Sequence, residues 1–128
     1  MSFIEATDLL ARLESGETTS GELTRNCLER IEQLDAKVNS FLHVNGESAL
    51  AQAEDIDRRR KAGKPLGRLA GLPVAVKSLL TSVGETTSCA SKILENFRPP
   101  YDATAVAKLK AADAVLIGKT NMDEFAMG

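Results

Sequence analysis

Apolar residues recur at helical spacing through the first half of the chain and collect into short unbroken runs in the second. That change of period separates a helical half from an α/β half. Ser2 and Glu5 have capping-box spacing, and Ile4, Leu9, Leu10 and Leu13 follow. They predict a helix over about residues 3–14 that stops near Gly16. Thr19 and Glu22 repeat the spacing. Leu23, Cys27, Ile31 and Leu34 then mark one face of a second helix, to about residue 36. Ser40-Phe41-Leu42-His43-Val44 reads as a short extended piece closed by Asn45-Gly46. A third helix is expected over about residues 47–62, with Glu54 and Asp55 four residues ahead of Arg58 and Arg59. The run Arg58-Arg59-Arg60-Lys61 falls in its last turn, where cations complement the helix dipole, and reads as a solvated helix end. Gly63, Pro65 and Gly67 break the helix and mark an internal boundary, helical over 1–63 and α/β over 64–128.

Beyond that boundary, Leu72-Pro73-Val74-Ala75-Val76 has the continuous apolar character of a strand buried on both faces, and it ends in Lys77. Asp102 is placed to cap a helix over about residues 103–112, with Val106 and Leu109 facing inward. Ala114-Val115-Leu116-Ile117 is a second buried strand, closed by Gly118. Strand, helix, strand predicts a βαβ-like unit with parallel strands. Ligands of such sheets gather beyond the strands' carboxyl ends, where Lys77 and the stretch from Lys119 to Gly128 both fall.

Composition narrows the classes. The 128 residues carry a net charge of −2, 43% are hydrophobic and 27% charged, which fits one globular domain or part of a larger one. A pI near 5.5 gives no global attraction to phosphate backbones or anionic membranes. With no Trp and one Tyr there is no stacking platform for single strands. No apolar run approaches the roughly 20 residues of a membrane span. The start Met-Ser-Phe-Ile-Glu lacks the pattern of a signal peptide. Two cysteines and one histidine are too few for a disulfide scaffold or a metal cluster. A reducing, cytoplasmic setting is expected.

Lys77 is open to two readings: a lysine that snorkels from a strand end to water, or a desolvated lysine acting as a base. The polar stretch from Thr81 to Ser91, with Gly84 as its turn residue, offers the hydroxyls of Thr86, Thr87 and Ser88 to an anion or a lysine. It serves equally to cap a short helix at Ser91-Lys92-Ile93-Leu94. Gly118-Lys119-Thr120 imitates the end of a phosphate loop, but the position of that loop's first glycine holds Asp113, so a nucleotide loop is rejected. Asp113 itself stands at a helix-to-strand junction that favours a left-handed residue. Cys27 reads as a small buried hydrophobe and His43 as a partly exposed strand residue.

Three stretches resemble the amidase signature family. Gly71-Leu72-Pro73-Val74-Ala75-Val76-Lys77 resembles its lysine-bearing strand. Thr87-Ser88-Cys89-Ala90-Ser91-Lys92-Ile93-Leu94-Glu95-Asn96-Phe97 and Pro100-Tyr101-Asp102-Ala103-Thr104 resemble the segment that follows. Gly118-Lys119-Thr120-Asn121-Met122-Asp123-Glu124-Phe125-Ala126-Met127-Gly128 is the most specific, and resembles the branch that works in tRNA-dependent amidation. The resemblance implies an α/β fold: N-terminal helices, then the start of a mixed, largely buried sheet.

It also implies a glutaminase whose catalytic triad is a lysine, a bridging serine and a nucleophilic serine. Lys77 matches the lysine. The serines belong to a Gly/Ser-rich region expected beyond Gly128, so the chain is expected to be truncated before them and inactive alone. Met127 and Gly128 would lie beside the substrate pocket, with Asn121, Asp123 and Glu124 either orienting that wall or serving the fold. No cofactor or metal is expected on this chain; ATP and Mg would be used by a partner subunit. Implied partners are subunits B and C of the amidotransferase, glutamine, and tRNA mainly through the partner subunit, with no membrane. A general amidase and a non-catalytic interaction module are the alternatives. The sequence departs from the family pattern at Ser78, where Asp normally follows the lysine, at Leu79, where Asn is common, and at Asp113, where Gly is expected.

Overall fold

The computed structural model describes residues 4–128. Its helices and strands run in the order α1 (Ala6–Ser15), α2 (Ser20–Val38), β1 (Phe41–Val44), α3 (Gly46–Lys61), β2 (Pro73–Lys77), α4 (Thr104–Ala111) and β3 (Val115–Thr120). Ser2, the expected first cap, lies outside the described residues. Helix α1 follows Glu5 and ends where Gly16 takes a left-handed φ of 78°. The capping box of α2 forms as expected: Thr19 Oγ1 accepts from the Glu22 amide at 3.1 Å and Glu22 accepts from the Thr19 amide at 2.9 Å.

The expected apolar stripe of α2 is only half covered, and Leu34 is exposed; the buried positions are Ser20, Gly21 and Thr24. A polar seam explains this. Asp57 of α3 accepts from the amides of Ser20 and Gly21, each at 2.9 Å, and so satisfies two of the otherwise orphaned donors of the helix start. Ser20 Oγ donates to the Gly71 carbonyl at 3.0 Å, which ties the helical half to the entry of β2.

The sheet has the order β1-β3-β2, with β1 antiparallel and β2 parallel to the central β3. The expected β2-α4-β3 crossover is therefore present. Val115 and Ile117 pack with Ala49, Ala53 and Ile56 of α3 and with Ala70. Leu116 faces the other way and packs with Val76 and with Val106 of α4. Strand β3 is thus the layer buried on both faces, each fully covered Val or Ile contributing about 1.5–3 kcal/mol.

Four expectations are corrected. Strand β2 is not buried on both faces: it lies at the sheet edge, and Val76 is its one buried residue. Gly118 does not close β3, which continues to Thr120. Glycine is needed there because β1 comes so near that a Cβ would stand 2.4 Å from the His43 carbonyl oxygen. Asp102 does not cap α4, whose N-cap is Ala103 without a side-chain bond. Its carboxylate instead accepts from the Val83 amide and from Lys110 Nζ, both at 2.8 Å. The basic end of α3 is not simply solvated: Arg60 donates to the Ala70 carbonyl at 2.8 Å and Arg59 to Asp113 at 2.5 Å.

Asp113 does take the expected left-handed conformation, with φ 61°. Its second oxygen accepts from the Gly67 amide at 2.6 Å. No helix among the described residues is long and apolar enough to cross a membrane.

Candidate active site

The parallel register sets Lys77 opposite Thr120, so the carboxyl ends of β2 and β3 emerge side by side. The Ser78 amide donates to the Thr120 carbonyl at 3.1 Å, carrying the pairing one step past Lys77. The Leu80 amide donates to the Lys77 carbonyl at 2.9 Å and turns the chain away. Lys77 itself is exposed. The buried lysine of this sheet is a different one.

That lysine is Lys119, 0% exposed. Its ammonium donates to the Leu80 carbonyl at 2.5 Å and to Ser82 Oγ at 2.6 Å, with the Glu85 carboxylate 3.7 Å away. Burial holds its pKa below the usual lysine range, and the Glu85 charge opposes that shift. Sequence reasoning missed it for a structural reason. Val74 pairs with Leu116 and Ala75 with Gly118, so Ile117 is an extra residue in the ladder. This bulge breaks the alternation and sets Lys119 opposite Val76, which packs with α4. The motif Gly118-Lys119-Thr120 was the only signal at this place in the sequence.

Gly84 makes the expected turn with φ 81°. Ser91 caps the 3-10 turn Lys92–Leu94, its Oγ accepting from the Ile93 amide at 3.3 Å. The same Oγ donates to Glu124 at 2.7 Å, and the Phe125 amide donates to the Cys89 carbonyl at 3.0 Å. The segment from 121 onward is therefore fastened to the loop that follows β2. Positive φ values at Cys89, Ala90, Phe125 and Ala126 lie on the two sides of that fastening. Strained backbone of this kind persists only where its surroundings over-determine it.

Asn121 Nδ2 donates to the Asn39 carbonyl at 3.0 Å, a bond to the end of α2. Asp123 is exposed, and Met127, 79% exposed, stands at the surface beside Gly128. A cleft of about 310 Å³ opens between β1, the loop after β2 and the end of β3, lined by His43, Ser78, Thr86, Ser88, Ser91 and Lys119 among others. Ser78 is 1% exposed, and among the described residues neither its Oγ nor Thr87 Oγ1 has a hydrogen-bond partner. The cleft thus gathers hydroxyls at the carboxyl ends of the strands. Lys77 and Lys119 both stand at the carboxyl ends of the strands, where the topology expects a ligand, but Lys119 lines the cleft and Lys77, Met127 and Gly128 do not. Among the described residues no group of three or more His, Cys, Asp or Glu is placed to hold a metal. Cys27 is half-buried, and burial pushes its thiol pKa up, which suits an inert packing residue.

The sequence profile described as Amidase matches residues 22–128. The chain belongs to the Amidase family. It is 53% identical over 125 residues to the A subunit of the Glutamyl-tRNA(Gln) amidotransferase of Streptomyces coelicolor, covering 98% of this chain and 25% of that protein. Among solved structures, the inhibitor-bound vestigial complex that reveals the evolutionary origins of an s-triazine catabolic enzyme matches with a TM-score of 0.91. Identity there is 41%, covering 98% of this chain and 28% of the other. The native peptide amidase of Stenotrophomonas maltophilia matches at 36% identity and a TM-score of 0.90, covering 97% and 26%. The chain spans about a quarter of the length of the curated relatives it matches. The superpositions include amidase signature enzymes, so the α/β architecture expected from the sequence is that of this family.

Proposed function

We propose that this Amidase-family chain contributes Lys77 as the proton-accepting residue of a glutaminase that supplies ammonia for tRNA-dependent amidation. The observation that carries the reading is the place of Lys77. It ends β2 at the carboxyl edge of the sheet, opposite Thr120. The likeness to the A subunit of an amidotransferase over nearly the whole chain supports glutamine as the amide. In this reading a neutral lysine draws a proton from a bridging serine, and a second serine attacks the amide carbon. Backbone donors stabilise the oxyanion, the proton taken up by the lysine passes back to the leaving nitrogen as ammonia departs, and water then releases the acyl group from the serine as glutamate. Neither serine has a matching residue among the 128, so in this reading the 128 residues alone hydrolyse no glutamine. Met127 and Gly128 border the substrate, ATP and Mg act on a partner subunit, and subunits B and C with tRNA complete a cytoplasmic assembly.

A second reading, an amidase acting on peptide amides, is favoured by the likeness to the peptide amidase. One experiment separates them. The chain is completed with the downstream residues of the Streptomyces coelicolor relative and offered glutamine or a peptide amide. Ammonia from glutamine, with little from the peptide amide, supports the first reading; the reverse preference supports the second. Release from glutamine by the 128-residue chain itself overturns the view that the nucleophile lies elsewhere.

A further inference from the structure

The buried lysine of this sheet is not the one to which the proposed chemistry falls, and its contacts say what it does instead. Lys119 lies beside Lys77 in the ladder, one register step away, opposite Val76. Its ammonium reaches past the end of β2 to the loop that Lys77 opens. There it meets the Leu80 carbonyl, Ser82 Oγ and the Glu85 carboxylate. Leu80 is the residue whose amide closes the turn on the Lys77 carbonyl. Three groups within six residues of loop thus converge on one charge with no access to water. A buried ammonium without acceptors is strongly unfavourable, so the loop is held where it supplies them.

We infer that Lys119 is a positioning residue: it pins the Leu80–Glu85 loop and thereby fixes the backbone that carries Lys77. The inference rests on the proposed role of Lys77 for its catalytic consequence, but not for its structural one. Each end of the Lys77-to-Leu80 turn has a separate tether. The Thr120 carbonyl holds the Ser78 amide, and Lys119 holds the Leu80 carbonyl. With the second tether cut, the turn keeps its strand-side anchor and loses its loop-side one. Lys77 then samples directions away from the reacting atoms, and rate falls while substrate binding, made by other groups, is kept.

The test compares Lys119→Met and Ser82→Ala with the parent in the chain completed from the Streptomyces coelicolor relative. Hydrogen exchange is read at the Leu80 and Glu85 amides. With Lys119→Met these amides exchange about 10-fold faster or more, while Val115 and Leu116 in β3 stay protected. In the same protein kcat for glutamine falls about 10- to 100-fold with KM within about twofold. Ser82→Ala removes one acceptor without touching the charge, shows the same pattern more weakly, and serves if the methionine variant does not fold. Unchanged exchange at Leu80 in the folded variants overturns the inference whatever the activity. Faster exchange at Leu80 with no change in kcat overturns the catalytic consequence. Should Lys77→Ala leave the rate intact while Lys119→Met loosens Leu80, the proposed function fails and the pinning role stands.

Discussion

Arg59 and Asp113 meet at 2.5 Å across 54 positions of sequence, joining the end of α3 to the turn before β3. Arg59 also pairs with Asp55 at 3.0 Å, and Asp113 accepts from the Gly67 amide, so one carboxylate ties helix, linker and sheet. The position has a left-handed φ, and Gly is the residue the family resemblance leads one to expect there. Asp113→Ala should lose both bonds and keep the strain, costing about 1–3 kcal/mol. Asp113→Gly should lose the bonds but relieve the strain, and recover about 1 kcal/mol of that loss. Urea midpoints of the two variants check the order.

The same carboxylate gives a pH dependence of known sign. The Arg59 hydrogen bond holds the Asp113 carboxyl below the usual carboxylate range, and the Gly67 amide adds to it. The folded state therefore binds this proton less readily than the unfolded state. The contribution is complete above the unfolded pKa and is lost as pH falls through the lowered folded one. Stability of the parent should fall more steeply than that of Asp113→Asn over that acid window, read from urea titrations between about pH 5 and about pH 2. Parallel curves for the two proteins would show that Asp113 contributes nothing to acid unfolding.

Gly118 lets β1 close on β3. A methyl group there meets the His43 carbonyl and the Val44 Cα, both backbone atoms that cannot swing aside. Gly118→Ala should destabilise by about 1–3 kcal/mol and loosen β1 first. Exchange of the Asn45 amide, which bonds to the Ile117 carbonyl, is the local reporter. Protection at Asn45 equal to the parent would contradict the close approach.

The 128-residue polypeptide should self-associate. Strands β1 and β2 are both sheet edges, and Leu79, Val83, Ile93 and Phe97 stand exposed near the loop after β2. Unpaired edges with apolar surface beside them recruit further strands. Sedimentation is expected to show concentration-dependent species and urea a broad transition; a sharp transition from a monomer would contradict this.

What the sequence disclosed was local. The Thr19–Glu22 capping box, the Gly84 turn and the left-handed Asp113 follow from residue type and near neighbours, and each was readable. The crossover from β2 through α4 to β3 was readable too, because continuous apolar runs flank a helical segment. What stayed hidden depends on distant partners. Asp102 reads as a helix cap until Lys110 and the Val83 amide are seen to compete for it. Gly118 reads as a strand end until β1 is brought against it. Lys119 reads as one more lysine until the bulge at Ile117 turns it inward. At the candidate site, Lys77 was recognisable from its motif and its strand end, whereas the motif around Lys119 gave no sign of its burial or of the loop it holds.

Arginine in place of Lys77 tests most directly whether Lys77 accepts a proton. Arginine keeps the positive charge but cannot give up its proton at neutral pH. In the completed chain, ammonia release from saturating glutamine is measured for the parent, Lys77→Ala and Lys77→Arg. Both substitutions are predicted to lower kcat by about 10²-fold or more, since a general base contributes about that much. Near-parental activity in Lys77→Arg would show that the position supplies only charge, and would contradict the role of Lys77 as proton acceptor.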